Sequence, residues 1–183
     1  TVAPGIGHSW FDGDGMVHGV RLSGGAASYR NRYVRTAGLD EDRAAGRACY
    51  VGSLAAPGQG SRHKNVSNTD VVFHAGRLLS LWWEGGQPYE LDPVSLATVG
   101  VSDLAGTLQM GMTSHLKLDP ATQELFFFDW GRRAPFLQVG VVGPDGRVSR
   151  SAPIDLPGPR IQHDLALTDT HVIVFDLSMS LDP

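Results

Sequence analysis

One strand–turn–strand unit recurs along this chain at nearly constant spacing, and that recurrence restricts the possible folds more than any other feature. The stretches Thr69–Trp83, His115–Phe128 and His163–Phe175 each read as a strand, a turn and a second strand. Their β-branched and aromatic residues suit a pleated, half-buried surface, and Ala75-Gly76, Asp119-Pro120 and Thr168-Asp169 break each stretch in the middle. The three starting residues lie 46 and 48 positions apart, close to the roughly 40–50 residues of one β-propeller blade. In a propeller the innermost strand of each blade runs along the central axis, so residues that open those strands converge. Thr69, His115 and His163 are therefore expected to face one another.

The rest of the chain reads the same way. Further strands are expected over Met16–Leu22, Ser28–Thr36, Val71–His74, Arg77–Trp83, Glu124–Trp130, Phe136–Val142 and His171–Leu177, with turns at Asp12–Gly15, Gly85-Gly86 and Pro144–Gly146. Asp40–Ala48 is the one stretch with a helical reading, interrupted by Gly46, and Ala55–Arg62 is a loop by composition. The expected class is all-β, with residues 1–183 as one partial propeller domain. Charged residues make up 19% of the chain and the net charge is −4 without a basic stripe, which argues against nucleic acid as a partner. No apolar run approaches the roughly 18 residues of a membrane span. Cys49 is the only cysteine, so no intrachain disulfide forms, and a cytoplasmic location is expected. Thr1–Gly7 has neither an initiator Met nor a targeting pattern, which places the expected start of the protein upstream.

Imidazole suits first-row metals such as iron, and a ring of blades can present ligands that are distant in sequence. Two histidines at matching repeat positions point that way, although a single strand-end histidine more often serves as a hydrogen-bonded structural residue. His8, His18, His63, His74 and His171 fall outside the matching positions and are read as surface or core residues. Asp12-Gly13-Asp14-Gly15 is similar to the start of a calcium loop, but Met16 stands where a third oxygen ligand is needed and Ser23 where the bidentate Glu belongs, which favours a tight turn. Trp82, Trp83 and Phe126–Phe128 suit either core packing or the wall of an apolar tunnel. Asn65-Val66-Ser67 matches a glycosylation sequon, which carries little weight without a secretory signal.

Several motifs in fixed order resemble the carotenoid cleavage oxygenase family. They are Trp10–Val20, Tyr29–Thr36, Asn68-Thr69 with Gly76–Gly86, Ser114–Pro120 and His163–Thr168. The resemblance implies a seven-bladed β-propeller, of which three to four blades are present, with Fe(2+) on its axis held by four histidines. His115 and His163 match the first two ligands. Glu84 matches the first of three glutamates that hydrogen-bond to ligand histidines, and its implied partner is His163. Thr69 matches a threonine whose methyl group stands beside an open coordination position and restricts access to the metal.

The family's other two histidines, its other two glutamates and about half its blades would lie beyond Pro183, so this polypeptide alone is expected to be inactive and poorly soluble. The implied reaction joins dioxygen to an apolar polyene, a carotenoid or apocarotenoid, and yields two carbonyl products. Cleavage of a stilbene is the nearest alternative. Stilbene cleavers resemble one another in a Lys directly before the matching glutamate, where this chain has Trp83, and that difference favours a polyene. A non-catalytic propeller that binds a partner is the alternative of a different class. Peripheral membrane contact of the full-length protein is left open.

Overall fold

The computed structural model describes residues 3–55 and 64–177. Residues 56–62 of the expected loop, and His63, lie outside the described residues. Among the described residues twelve strands form four antiparallel sheets, each a meander in chain order. A hairpin of β1 (Met16–Ser23) and β2 (Ala26–Tyr33) comes first, followed by α1 (Ala37–Ala45). Then come two four-stranded blades: β3 (Asp70–His74), β4 (Arg77–Leu81), β5 (Tyr89–Leu91) and β6 (Thr98–Val101), and β7 (Lys117–Leu118), β8 (Leu125–Trp130), β9 (Leu137–Val142) and β10 (Val148–Ile154). A last hairpin joins β11 (Ala166–Leu167) to β12 (Val172–Ile173).

The all-β expectation holds, with one α-helix and a single 3-10 turn (Trp10–Asp12) among the described residues. That helix begins three residues earlier than the sequence suggested, because the Thr36 hydroxyl accepts from the Leu39 amide at 3.1 Å and so caps it there. Gly46 does not interrupt the helix but ends it, at a left-handed φ of 65°. The final strand is shorter than expected, Val172–Ile173 alone. At the β3–β4 turn Ala75 and Gly76 take φ of 48° and 78°, the left-handed pair that matches a two-residue hairpin to the twist of its strands.

Neighbouring sheets are held together by side chains that alternate along the middle strands. Phe127 and Phe128 are both fully buried, and as consecutive residues of β8 they point to opposite faces. Phe127 packs with Leu79 and Leu81 of the preceding blade, and with Leu104, Leu108 and Met112 from the connecting segment. Phe128 joins Trp130, Leu137 and Leu165, against Trp83, Ile161 and Val172. The third cluster, Val34 with Tyr89 and Leu91, seats the first hairpin on the first blade through Val17 and Leu78. The opposite face of that hairpin leaves Val20, Leu22 and Tyr29 exposed.

Asp12–Gly15 is the expected turn. The Asp12 carboxylate accepts from the Ser9 amide at 2.7 Å and from the Ser53 amide at 3.1 Å. Asp14 takes part in a different link: Lys64 Nζ lies 2.5 Å from its Oδ1 and 2.7 Å from Asp42 Oδ2, tying this segment to α1. Gly15 lies so close to the next chain that an added Cβ would come within 2.1 Å of the Ser67 carbonyl oxygen.

Candidate metal centre

His115 and His163 precede β7 and β11, the first strands of adjacent sheets, and the fold brings them together. Their ring centroids are 4.7 Å apart with the planes inclined at 40°. Both segments are anchored on β8. Thr113, two residues before His115, donates from its amide at 3.0 Å and its hydroxyl at 2.7 Å to the Phe128 carbonyl. Leu165, two residues after His163, is buried in the Phe128 cluster. Gln162 holds the other side of His163: its amide oxygen accepts from the Phe175 amide at 3.2 Å and its Nε2 donates to the Phe175 carbonyl.

His115 is held in an unusual backbone conformation, φ 61°, which costs an L-residue about 1–2 kcal/mol. Counted to the first residue of each turn, Thr69 lies six residues before Ala75, His163 five before Thr168 and His115 four before Asp119. Both backbone polar groups of His115 are gripped by charged side chains. Its amide donates to Asp70 Oδ2 at 3.3 Å, and its carbonyl accepts from Lys117 Nζ at 3.1 Å. The same Asp70 oxygen lies 3.7 Å from the ring Nδ1. His115 Nε2 is buried and has no hydrogen-bond partner.

Lys117 continues across to the next sheet, where Nζ lies 2.6 Å from Asp164 Oδ1, and that oxygen also accepts from the Leu165 amide at 2.8 Å. Partial burial pushes the Asp164 carboxyl up. The Lys117 hydrogen bond, the Leu165 amide and the charges of Lys117 and His115 together outweigh it and hold the group below the ordinary carboxylate range. Side-chain exposures of 35% for Lys117 and 51% for Asp164 put the pair in the class that adds only about 0.2–1 kcal/mol to stability.

Thr69 lies beside Asp70 and closes the mouth of the β3–β4 pair. Its amide donates to the Leu81 carbonyl at 3.0 Å, and its hydroxyl accepts from the Trp83 amide at 3.1 Å. Glu84 lines a cavity of about 680 Å³ with Asp12, Asp14, Lys64 and Trp82. Trp83 packs against Trp130 with ring centroids 5.8 Å apart and planes inclined at 33°, and its carbonyl accepts from Trp130 Nε1 at 3.1 Å. Phe127, Phe128 and Trp83 therefore serve core packing. Of the histidines outside the repeat positions, His74 is buried and bonded to the Gln123 carbonyl at 2.8 Å, and His18 is exposed and bonded to the Tyr29 hydroxyl at 2.5 Å.

Among the described residues no group of three or more His, Cys, Asp or Glu side chains stands close enough to hold a metal ion. Two imidazoles in contact, one with a buried and unpartnered nitrogen, fit half of a four-histidine centre. The sequence reading missed Asp70, Lys117, Asp164 and Gln162. Asp70 and Asp164 directly follow Thr69 and His163, so the repeat carried a signal for them, whereas Gln162 left none.

Known proteins resemble this chain in sequence and in fold. The family model described as retinal pigment epithelial membrane protein matches residues 1–183. A carotenoid 9,10(9',10')-cleavage dioxygenase from Arabidopsis thaliana is 36% identical over 97% of this chain and 37% of its own length. A variant of the apocarotenoid oxygenase of Synechocystis superposes with a TM-score of 0.80 at 32% identity, covering 92% of this chain and 39% of that one. For the lignostilbene dioxygenase of Pseudomonas brassicacearum the TM-score is 0.77 at 33% identity, covering 91% of this chain and 36% of that one. The fold is a section of the β-propeller of such oxygenases. The chain belongs to the carotenoid cleavage oxygenase family. It spans less than two fifths of the length of these relatives.

Proposed function

We propose that the protein carrying this chain is an iron(II)-dependent dioxygenase that cleaves a conjugated carbon–carbon double bond of a carotenoid or apocarotenoid. The observation that carries this reading is the meeting of His115 and His163 from adjacent sheets, ring centroids 4.7 Å apart, with His115 Nε2 buried and without a partner. These two residues would hold the metal as neutral imidazoles, and the other two histidines that the family resemblance implies would lie in the part of the relatives that this chain does not span. Bound iron supplies the unpaired electrons that let triplet dioxygen react with a polyene. One C=C bond and one O=O bond are broken, and two C=O bonds form, with one oxygen atom in each product.

The chain's own residues position and protect. Glu84 orients the His163 ring and fixes its tautomer; loss of such a partner typically costs about 10–100-fold in metal affinity or activity. The Thr69 methyl restricts access beside the metal, and the packed aromatic residues behind the histidines keep water from that side. Trp83 stands where a phenol-binding Lys would favour a stilbene, so the preferred substrate is an apolar polyene. Iron analysis and product analysis of the full-length protein test the reading. Stoichiometric iron that His115→Ala and His163→Ala each abolish, with apocarotenoid aldehydes as products, is the expected result. A folded protein free of iron after ferrous loading would overturn it.

A further inference from the structure

Lys117 makes a bridge that the fold does not require. Among the described residues it provides the one hydrogen-bonded link between the segments that carry the two histidines, donating to the His115 carbonyl at 3.1 Å and to Asp164 Oδ1 at 2.6 Å. Asp164 is the residue next to His163, so the bridge spans from one histidine's backbone to the other's neighbour. On the far side of His115, Asp70 accepts the backbone amide at 3.3 Å. The left-handed backbone at φ 61° is thus clamped at both its N–H and its C=O.

We infer that Lys117, with Asp164 and Asp70, forms a positioning strut that sets the separation and tilt of the His115 and His163 rings. The inference rests on reading those histidines as metal ligands. Charge agrees with it: two carboxylates and one ammonium leave one net negative charge beside the histidines, which favours a cation between them. The exposure of the ion pair agrees as well. A half-exposed pair contributes little to folding, so its short distance serves geometry more than stability. An ammonium also suits the task because it can donate to a carbonyl and a carboxylate at once.

The test uses metal-free full-length protein titrated with Co(II), read by the cobalt d–d absorption bands and by the dissociation constant, with melting of the metal-free protein alongside. Lys117→Met and Asp164→Asn should each weaken Co(II) binding about 10–100-fold and shift the bands, with the metal-free melting temperature nearly unchanged. Lys117→Arg should recover part of the affinity. The double variant should lose no more than the worse single one, because both changes break one link. Unchanged affinity and bands in both single variants, with tight Co(II) binding by the parent, would overturn the strut and leave the metal reading intact. Variants that lose affinity only as the metal-free fold collapses would overturn it too, as a merely structural role. A parent that binds no Co(II) would instead overturn the metal reading, and the strut with it.

Discussion

Gly140→Ala is the sharpest test of how the second blade carries its core. Gly140 on β9 stands directly across from Phe127 on β8, and the ring lies over the space a side chain would need. An added Cβ would come within 2.3 Å of Phe127 Cζ and 2.5 Å of Cε1. To restore ordinary contact the ring must retreat by roughly 1 Å in an interior packed about as densely as an organic crystal. Phe127 is fully buried among Leu79, Leu81, Leu104, Leu108, Met112 and Leu125, so no void receives it. Overpacking of this kind costs about 1–3 kcal/mol. Urea melts of the parent, Gly140→Ala, Phe127→Leu and the double variant measure it. The double variant should be less destabilised than the sum of the singles by about 0.5–3 kcal/mol, the coupling of residues that share one space. A Gly140→Ala protein as stable as the parent, or strictly additive costs, would refute the account of this pair.

Asp129 gives a pH dependence of definite sign. Burial raises its carboxyl above the ordinary value of 3.8 and outweighs the opposing hydrogen bond from the Gly111 amide. Its stabilising contribution is therefore complete at pH values below that of the unfolded chain and is lost as pH rises through the folded value; Asp129→Asn should flatten this limb of the stability-versus-pH curve in denaturant melts. Ser114 is fully buried and its hydroxyl has no partner, so Ser114→Ala should be neutral or stabilising by up to about 1 kcal/mol, as relief of an unmade hydrogen bond. Gln162→Leu should cost about 1–3 kcal/mol by leaving the Phe175 amide and carbonyl unpaired, and, on the proposed iron reading, equilibrium dialysis of the full-length protein should show weaker iron retention because the anchor precedes His163.

The repeat made the centre of the fold legible because the central strands are apolar and β-branched or aromatic, as in Phe126–Phe128 and Val139–Val142. The outer strands carried a weaker signal. Tyr89–Leu91 has three residues between Pro88 and Pro93, and Val148–Ile154 is polar and contains Pro153, which an outermost strand tolerates because that edge needs no ladder donor. At the site, the histidine pair was visible because repeat positions translate into convergence on an axis. The clamp on His115 was not. Asp70 and Lys117 act through a left-handed backbone and a bridge to the next sheet, and neither a periodicity nor a composition encodes such contacts. Glycine turns were read correctly where φ is positive, as at Gly85 and Gly86.

The meander order of the blades governs how such a protein matures. Strands within 70–101 and within 117–154 pair only with their chain neighbours, and hairpins of this sort close in about 1–10 μs. Each blade can therefore zip up on its own as it leaves the ribosome. The imidazole pair belongs to no ladder and comes into being only when finished blades dock, so under the proposed metal reading an ion arriving early would meet one nitrogen instead of two. On the proposed reading of these histidines as metal ligands, polypeptide first and metal second is the assembly order this topology imposes.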